Sequence, residues 1–214
     1  MLHKNKGKII LTSLIILLPV IAGLILWNQL PDKVPTHWNA AGEIDGWSSK
    51  GFAVFAIPFL MMAFHLLCVF VTGLDPKNKN ASNKMISLIF WIFPVISVLT
   101  SALTYSAAMG INTNINSVLP VLTGLLFTII GTYLPQCQHN YTIGIKLPWT
   151  LHDENNWNAT HHFAGPVWIA GGILLVISAF ITSPAVNTAI VIVIILAMVL
   201  IPAVYSFIYY RKNS

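Results

Sequence analysis

Charge is what this sequence has least of. Only 8% of its 214 residues are Asp, Glu, Lys or Arg, against about 25% in a typical soluble domain, and those few avoid the long apolar stretches altogether. A charged side chain in hydrocarbon costs on the order of 3 kcal/mol or more, so this distribution argues against a water-soluble fold and makes the bilayer the main solvent. Cysteine is also scarce. Cys68 falls inside an apolar run and Cys137 at the end of another, positions that suit reduced thiols. A Gly-rich phosphate loop, a serine-nucleophile turn and a carboxylate pair within an apolar run are all missing, which weighs against membrane hydrolysis and proton-coupled transport. The basic excess forms no groove with interleaved stacking aromatics, so nucleic acid is excluded as a partner.

What is present is apolar length. Runs of about 18 or more apolar residues are long enough to span a bilayer, and six occur, at 9–27, 52–73, 85–110, 118–136, 164–182 and 187–210. The first follows Lys4, Lys6 and Lys8 but is too long for a signal peptide and lacks a small-residue cleavage site, so it reads as an anchor. Interior prolines at 19, 58, 94 and 202 are compatible with membrane helices, where neighbours satisfy the freed carbonyls. With the N-terminus inside, Lys4, Lys6, Lys8, Lys77, Lys79, Lys84, Lys146, Arg211 and Lys212 are cytoplasmic, nine of the 11 cations, and Lys33 and Lys50 lie outside. The N-x-S/T sequons at Asn80 and Asn158 then face the cytoplasm and read as chance matches.

The expected fold class is therefore an all-α integral membrane protein of six transmembrane helices with both termini cytoplasmic. Residues 1–110 form a three-helix unit with an outer loop at 28–51, and residues 111–214 a second three-helix unit with an inner loop at 137–163. This order can be read as a 3+3 inverted repeat, echoed only by Trp38-Asn39-Ala40 against Trp157-Asn158-Ala159. The tail Tyr205, Phe207, Tyr209 and Tyr210 before Arg211 and Lys212 reads as an interfacial aromatic belt.

Chemistry-bearing residues concentrate in the two loops. In the outer one, Pro35 stiffens the entry, Gly42 and Gly46 permit turns, and His37, Glu43 and Asp45 are candidates for a cation site flanked by Trp38, Asn39 and Trp47. The alternative is a compact loop on the headgroups with its tryptophans as anchors. In the inner loop, Pro148-Trp149-Thr150 with Asp153 three residues on predicts a helix start capped by Thr150, then a short helix over 151–163. On it Thr150, Glu154, Trp157 and His161 form one stripe while His152 and Asn156 point away, and Glu154 is expected to dock toward Lys146 or a helix end. His139, His152, His161 and His162 invite a zinc reading, but their spacing fits no familiar site; no metal or cofactor is expected. Met61, His65 and Cys68 share a helix face, open to soft-metal binding or to ordinary packing.

The stretch LPDKVPTHWNAAGEIDGW resembles the motif of a small membrane domain of uncharacterised function that often precedes an SdpI-type module. The stretch NYTIGIKLPWTLHDENNW resembles the SdpI signature itself. Carried over by position, that signature falls on Asn140, Gly144, Ile145, Lys146, Pro148, Trp149, Thr150, Glu154 and Trp157, with Lys146 where Arg is usual and Leu147 where Thr is common; the stripe adds His161. Lysine keeps the charge but loses the bidentate fork. The resemblance implies a non-enzymatic immunity protein of a Gram-positive cell membrane, with a secreted antimicrobial peptide toxin, membrane lipid and a cytoplasmic transcriptional repressor as expected partners. A small-solute transporter or membrane ligand sensor is the alternative, and a metal-dependent membrane enzyme the third reading.

Overall fold

Each apolar run folds as a helix because, in hydrocarbon, every backbone N–H and C=O must find its partner within the segment. A computed structural model describes residues 5–77, 83–111 and 113–213; the cations Lys4 and Lys79, the side chain of Lys84 and the sequon at Asn80 lie outside the described residues. Six helices are long and apolar enough to cross a membrane. The chain divides into two compact units, Met1–Gly73 with Ser87–Asn114, and Leu74–Ile86 with Ile115–Ser214.

In the first unit, α1 (Lys6–Ile25) leads to a two-stranded antiparallel hairpin, β1 (Lys33–Trp38) and β2 (Ile44–Ser49). A π-helical turn, Phe52–Ala56, then opens α2 (Ile57–Leu74). The proline ring at 58 would clash with the Val54 carbonyl in a regular turn, and the π turn widens the helix there. Helix α3 (Asn83–Ala108) completes the unit. Its polar residues join it to α1: the Ser97 hydroxyl donates to the Ile16 carbonyl at 2.9 Å and the Tyr105 hydroxyl to that of Pro19 at 3.0 Å. Leu30, Val54 and Tyr105 form a buried apolar cluster with Trp27 and Phe55 against it.

The outer loop is folded as a hairpin within an otherwise helical chain. Asn39 makes the turn: its side-chain oxygen accepts from the N–H groups of Ala41 (2.9 Å) and Glu43 (3.0 Å), and Gly42 takes φ 79°, open to glycine without strain. Lys50 ties the hairpin to the end of α1. Its ammonium donates to the Trp27 and Leu30 carbonyls at 3.2 and 3.3 Å, lies 4.8 Å from the Trp27 ring centroid and 3.6 Å from the Asp32 carboxylate.

The second unit contains α4 (Ile115–Tyr133), which tightens into a 3-10 turn at Leu134–Gln136, then α5 (Pro148–His152), α6 (Glu154–Ser178) and α7 (Pro184–Asn213). Helices α4 and α6 approach closely through glycines two turns apart on each: a Cβ at Gly124 would run into the Gly172 carbonyl and Val176, and one at Gly165 into Pro135 and the Gly131 carbonyl. Small residues of this kind let membrane helices pack backbone to backbone.

The expected short helix over 151–163, separate from the span at 164–182, is corrected. Pro148 does open a helix, but it ends at His152, and a single α6 then runs unbroken from Glu154 through Pro166 to Ser178. Its cap is Asp153, not Thr150: the Asp153 carboxylate accepts from the Asn155 N–H at 2.8 Å. The backbone of Asp153 is extended (φ −128°, ψ 114°), which breaks the helical phase between Thr150 and Glu154.

Candidate functional site

The polar loop following α4 folds into a cap on the end of α6 and α7, built by hydrogen bonds from buried side chains. Asn140, 5% exposed, turns the chain by accepting from the N–H groups of Thr142 (2.8 Å) and Ile143 (2.7 Å), and its amide donates to the Gln138 carbonyl at 2.8 Å. Asp75, also buried, accepts from the Tyr141 N–H at 2.8 Å, the Thr142 hydroxyl at 3.1 Å and the Lys77 N–H at 2.9 Å. Thr150 accepts from the Leu147 N–H and donates to the Ile145 carbonyl, both at 2.9 Å.

Trp157 is wholly buried and forms the centre of the cap. Its indole N–H donates to the Cys137 carbonyl at 2.7 Å, and its ring stacks on His161 with centroids 4.2 Å apart. His161 accepts from the Ile145 N–H at Nε2 (2.9 Å), so its proton resides on Nδ1, which donates to the Trp157 carbonyl at 2.8 Å. Both ring nitrogens are thus engaged. Gly144 crosses directly over this pair at φ 115°, and a Cβ there would strike His161 Nε2 and the Trp157 ring; only glycine combines that conformation with so close an approach. Burial pushes the Cys137 thiol up to about 11, against a smaller downward effect of the Asn140 amide.

A second network fixes the cap to α7. The Trp149 indole donates to the Ser206 hydroxyl at 2.7 Å; that hydroxyl donates to the Asn156 side-chain oxygen at 2.9 Å, which also accepts from Thr160. The Asn156 amide donates to the Ser206 carbonyl at 3.1 Å. Trp149 packs on Phe207 and Tyr210, and Phe163 stacks on Tyr205 at 4.2 Å, so the aromatic tail read as an interfacial belt also contributes cap packing.

Thr150, Trp157 and His161 are therefore brought together, whereas Glu154, one turn before Trp157 on α6, is exposed. The expected Glu154–Lys146 pairing is corrected: Lys146 donates to the Thr142 carbonyl at 3.2 Å, and no Glu154 ion pair occurs among the described residues. Asn156, on another side of α6, is fully buried against Ser206 of α7. The extended Asp153 breaks the helical phase between Thr150 and Glu154, so Thr150 joins Trp157 and His161 through the Ile145 backbone rather than through one continuous helix. The histidines go separate ways. His139 accepts at Nδ1 from Lys77 Nζ (3.2 Å) and donates from Nε2 to the Leu151 carbonyl (3.1 Å); His152 donates to the Pro148 carbonyl, and His162 is exposed. Asp75, Asn156 and Ser206 escaped sequence reasoning because their partners lie 50 or more residues away.

In the hairpin, His37 Nδ1 and the Asp45 carboxylate meet at 2.5 Å. Glu43 does not join them and instead accepts from the Asn39 amide at 3.1 Å, so the three-residue cation site is not assembled. Gly46 faces His37 across the ladder, where a Cβ would collide with the His37 Cβ. Pro35 is buried, Trp38 half-buried and Trp47 exposed. In α2, His65 is fully buried and 3.0 Å from the Thr12 hydroxyl, edge-on to Phe90 and Phe93.

Six apolar helices bearing two folded polar loops define a multi-pass cell membrane protein. Residues 136–209 match the SdpI/YfhL protein family and residues 14–62 a domain of unknown function (DUF1648). It is similar to a curated protein named "Immunity protein SdpI" from Bacillus subtilis (strain 168), 28% identical over 210 residues, covering 96% of this chain and 97% of that protein. No solved structure matches.

Proposed function

We propose that this chain is an immunity protein that protects the membrane carrying it against a secreted antimicrobial peptide. The similarity to the immunity protein of Bacillus subtilis carries the reading, because it runs through both loops and all six helices rather than one module. The buried centre of the cap supports a structural rather than a catalytic role for His161, His139 and Cys137. An enzyme needs a base with a free lone pair or an activated nucleophile within reach of substrate, whereas both nitrogens of His161 and of His139 are engaged by the fold and Cys137 is buried with its thiol pushed up to about 11.

Expression in a sensitive bacterium, challenged with a panel of secreted peptides, tests the proposal. Survival against at least one peptide is expected at a concentration that kills the host alone. Gly144→Ala, which drives the loop off Trp157 and His161, should remove most of that protection at equal abundance in the membrane. Killing of expressing and control cells at the same dose by every peptide of the panel would overturn the proposal.

A further inference from the structure

Most polar side chains of the cap are consumed by the fold, and three of the exceptions converge. Gln138, His139, Glu154 and Asn158 line an open dish of about 410 Å³ on the second unit, within the size range of small-ligand sites, roughly 300–1,000 Å³. Glu154 and Asn158 stand one turn apart on α6, and Gln138 faces them from the cap loop. All three are exposed, and their side chains have no hydrogen-bond or ion-pair partner among the described residues. His139 offers no free ring nitrogen there, since Lys77 and the Leu151 carbonyl occupy both. Behind that ring stands Trp157, 5.1 Å away between centroids.

We infer that this dish is a binding site for a guanidinium group. The formal charge in the lining is the Glu154 carboxylate, which selects a cation. The side-chain oxygens of Glu154, Asn158 and Gln138 offer acceptors from two elements, and a planar fork with five donors engages such a spread where a compact ammonium does not. The His139 ring, set between Trp157 and Tyr141, lines the same dish. Lys77, bonded to His139 at the edge of the lining, is also held over the Tyr141 ring at 4.6 Å. The inference does not rest on the immunity reading, since the site and its test concern binding alone.

The full-length protein in lipid nanodiscs is titrated with N-acetyl-arginine amide by calorimetry. Saturable binding is expected, weakened about tenfold or more, as loss of a charge-assisted hydrogen bond implies, by Glu154→Gln and by replacing the probe with its neutral isostere N-acetyl-citrulline amide. Asn158→Ala should weaken binding less. Because Glu154 is exposed, Glu154→Gln should keep the wild-type melting temperature, which separates a lost site from a lost fold. A five-residue peptide with one central arginine, run in parallel, identifies the source: tighter binding than the amide indicates a protein segment, equal binding a free small molecule. Absence of saturable binding, or equal affinity for the arginine and citrulline probes, would overturn the inference.

Discussion

At Cys137 a single side chain reports how tightly the cap is closed. Its sulfur is buried beside Asn140 and contacts the Ile143 carbonyl at 3.5 Å, and burial lifts its thiol from a usual value near 9 to about 11. The thiolate is the reactive form, and at pH 8 a group with that value is ionised in about one molecule in 1,000. Alkylation by iodoacetamide at pH 8, followed by mass spectrometry, should therefore leave Cys137 unmodified in the folded protein and modify it fully after unfolding in SDS. The sign for stability follows from the same shift. A thiol whose folded value is raised favours the folded state below pH 9, and that contribution is lost as pH rises from 9 toward about 11. Modification as fast in the folded as in the unfolded chain would show that the cap is open.

At the level of elements, helices were legible where hydropathy alone decides, and their junctions were not. All six runs became helices, because a bilayer leaves a long apolar segment no other way to satisfy its backbone. The start of α6 was missed by about ten residues: its first turns carry Asn156, Thr160 and His161, polar residues that hydropathy assigns to a loop but that the Ser206 and Ile145 backbone and side-chain groups satisfy. The hairpin was missed because its strands hold Pro35 and Gly46 and do not alternate cleanly. The motif residues were legible as positions, but the partners that give them roles, Asp75 and Ser206, are remote in sequence. Glycine spacing was similarly mute until α4 and α6 were seen face to face. A Cβ at Gly172 would collide with the Thr128 hydroxyl and the Gly124 carbonyl, whereas one at Gly7 meets nothing within 4 Å. Overpacking of this kind costs about 1–3 kcal/mol, so Gly172→Ala should lower the melting temperature in detergent while Gly7→Ala leaves it unchanged. Equal melting of the two variants would mean that the helices separate without cost.

For the whole molecule, function depends on which side of the bilayer each loop faces. One membrane crossing precedes the hairpin and four precede the cap, so an unbroken count of six spans assigns them to opposite sides of the bilayer. The charge bias chooses between the two orientations, since Lys and Arg near helix ends are retained on the cytoplasmic side. Lys33 and Lys50 accompany the hairpin, and Lys50 is drawn inward onto the Trp27 and Leu30 carbonyls and the Asp32 carboxylate. Lys77, Lys146, Arg211 and Lys212 accompany the cap and the end of α7. The hairpin is accordingly expected outside, where a secreted peptide arrives first, and the cap inside. Single cysteines at Ala41 in the hairpin turn and at Asn155 on α6, both exposed, test this in a background lacking Cys68 and Cys137. A membrane-impermeant maleimide applied to intact cells should label the Ala41→Cys chain at once and the Asn155→Cys chain only after permeabilisation. The reverse pattern would place the cap, with its guanidinium dish, before the secreted peptide and move the hairpin to the cytoplasm; labelling of both in intact cells would break the count of six spans itself.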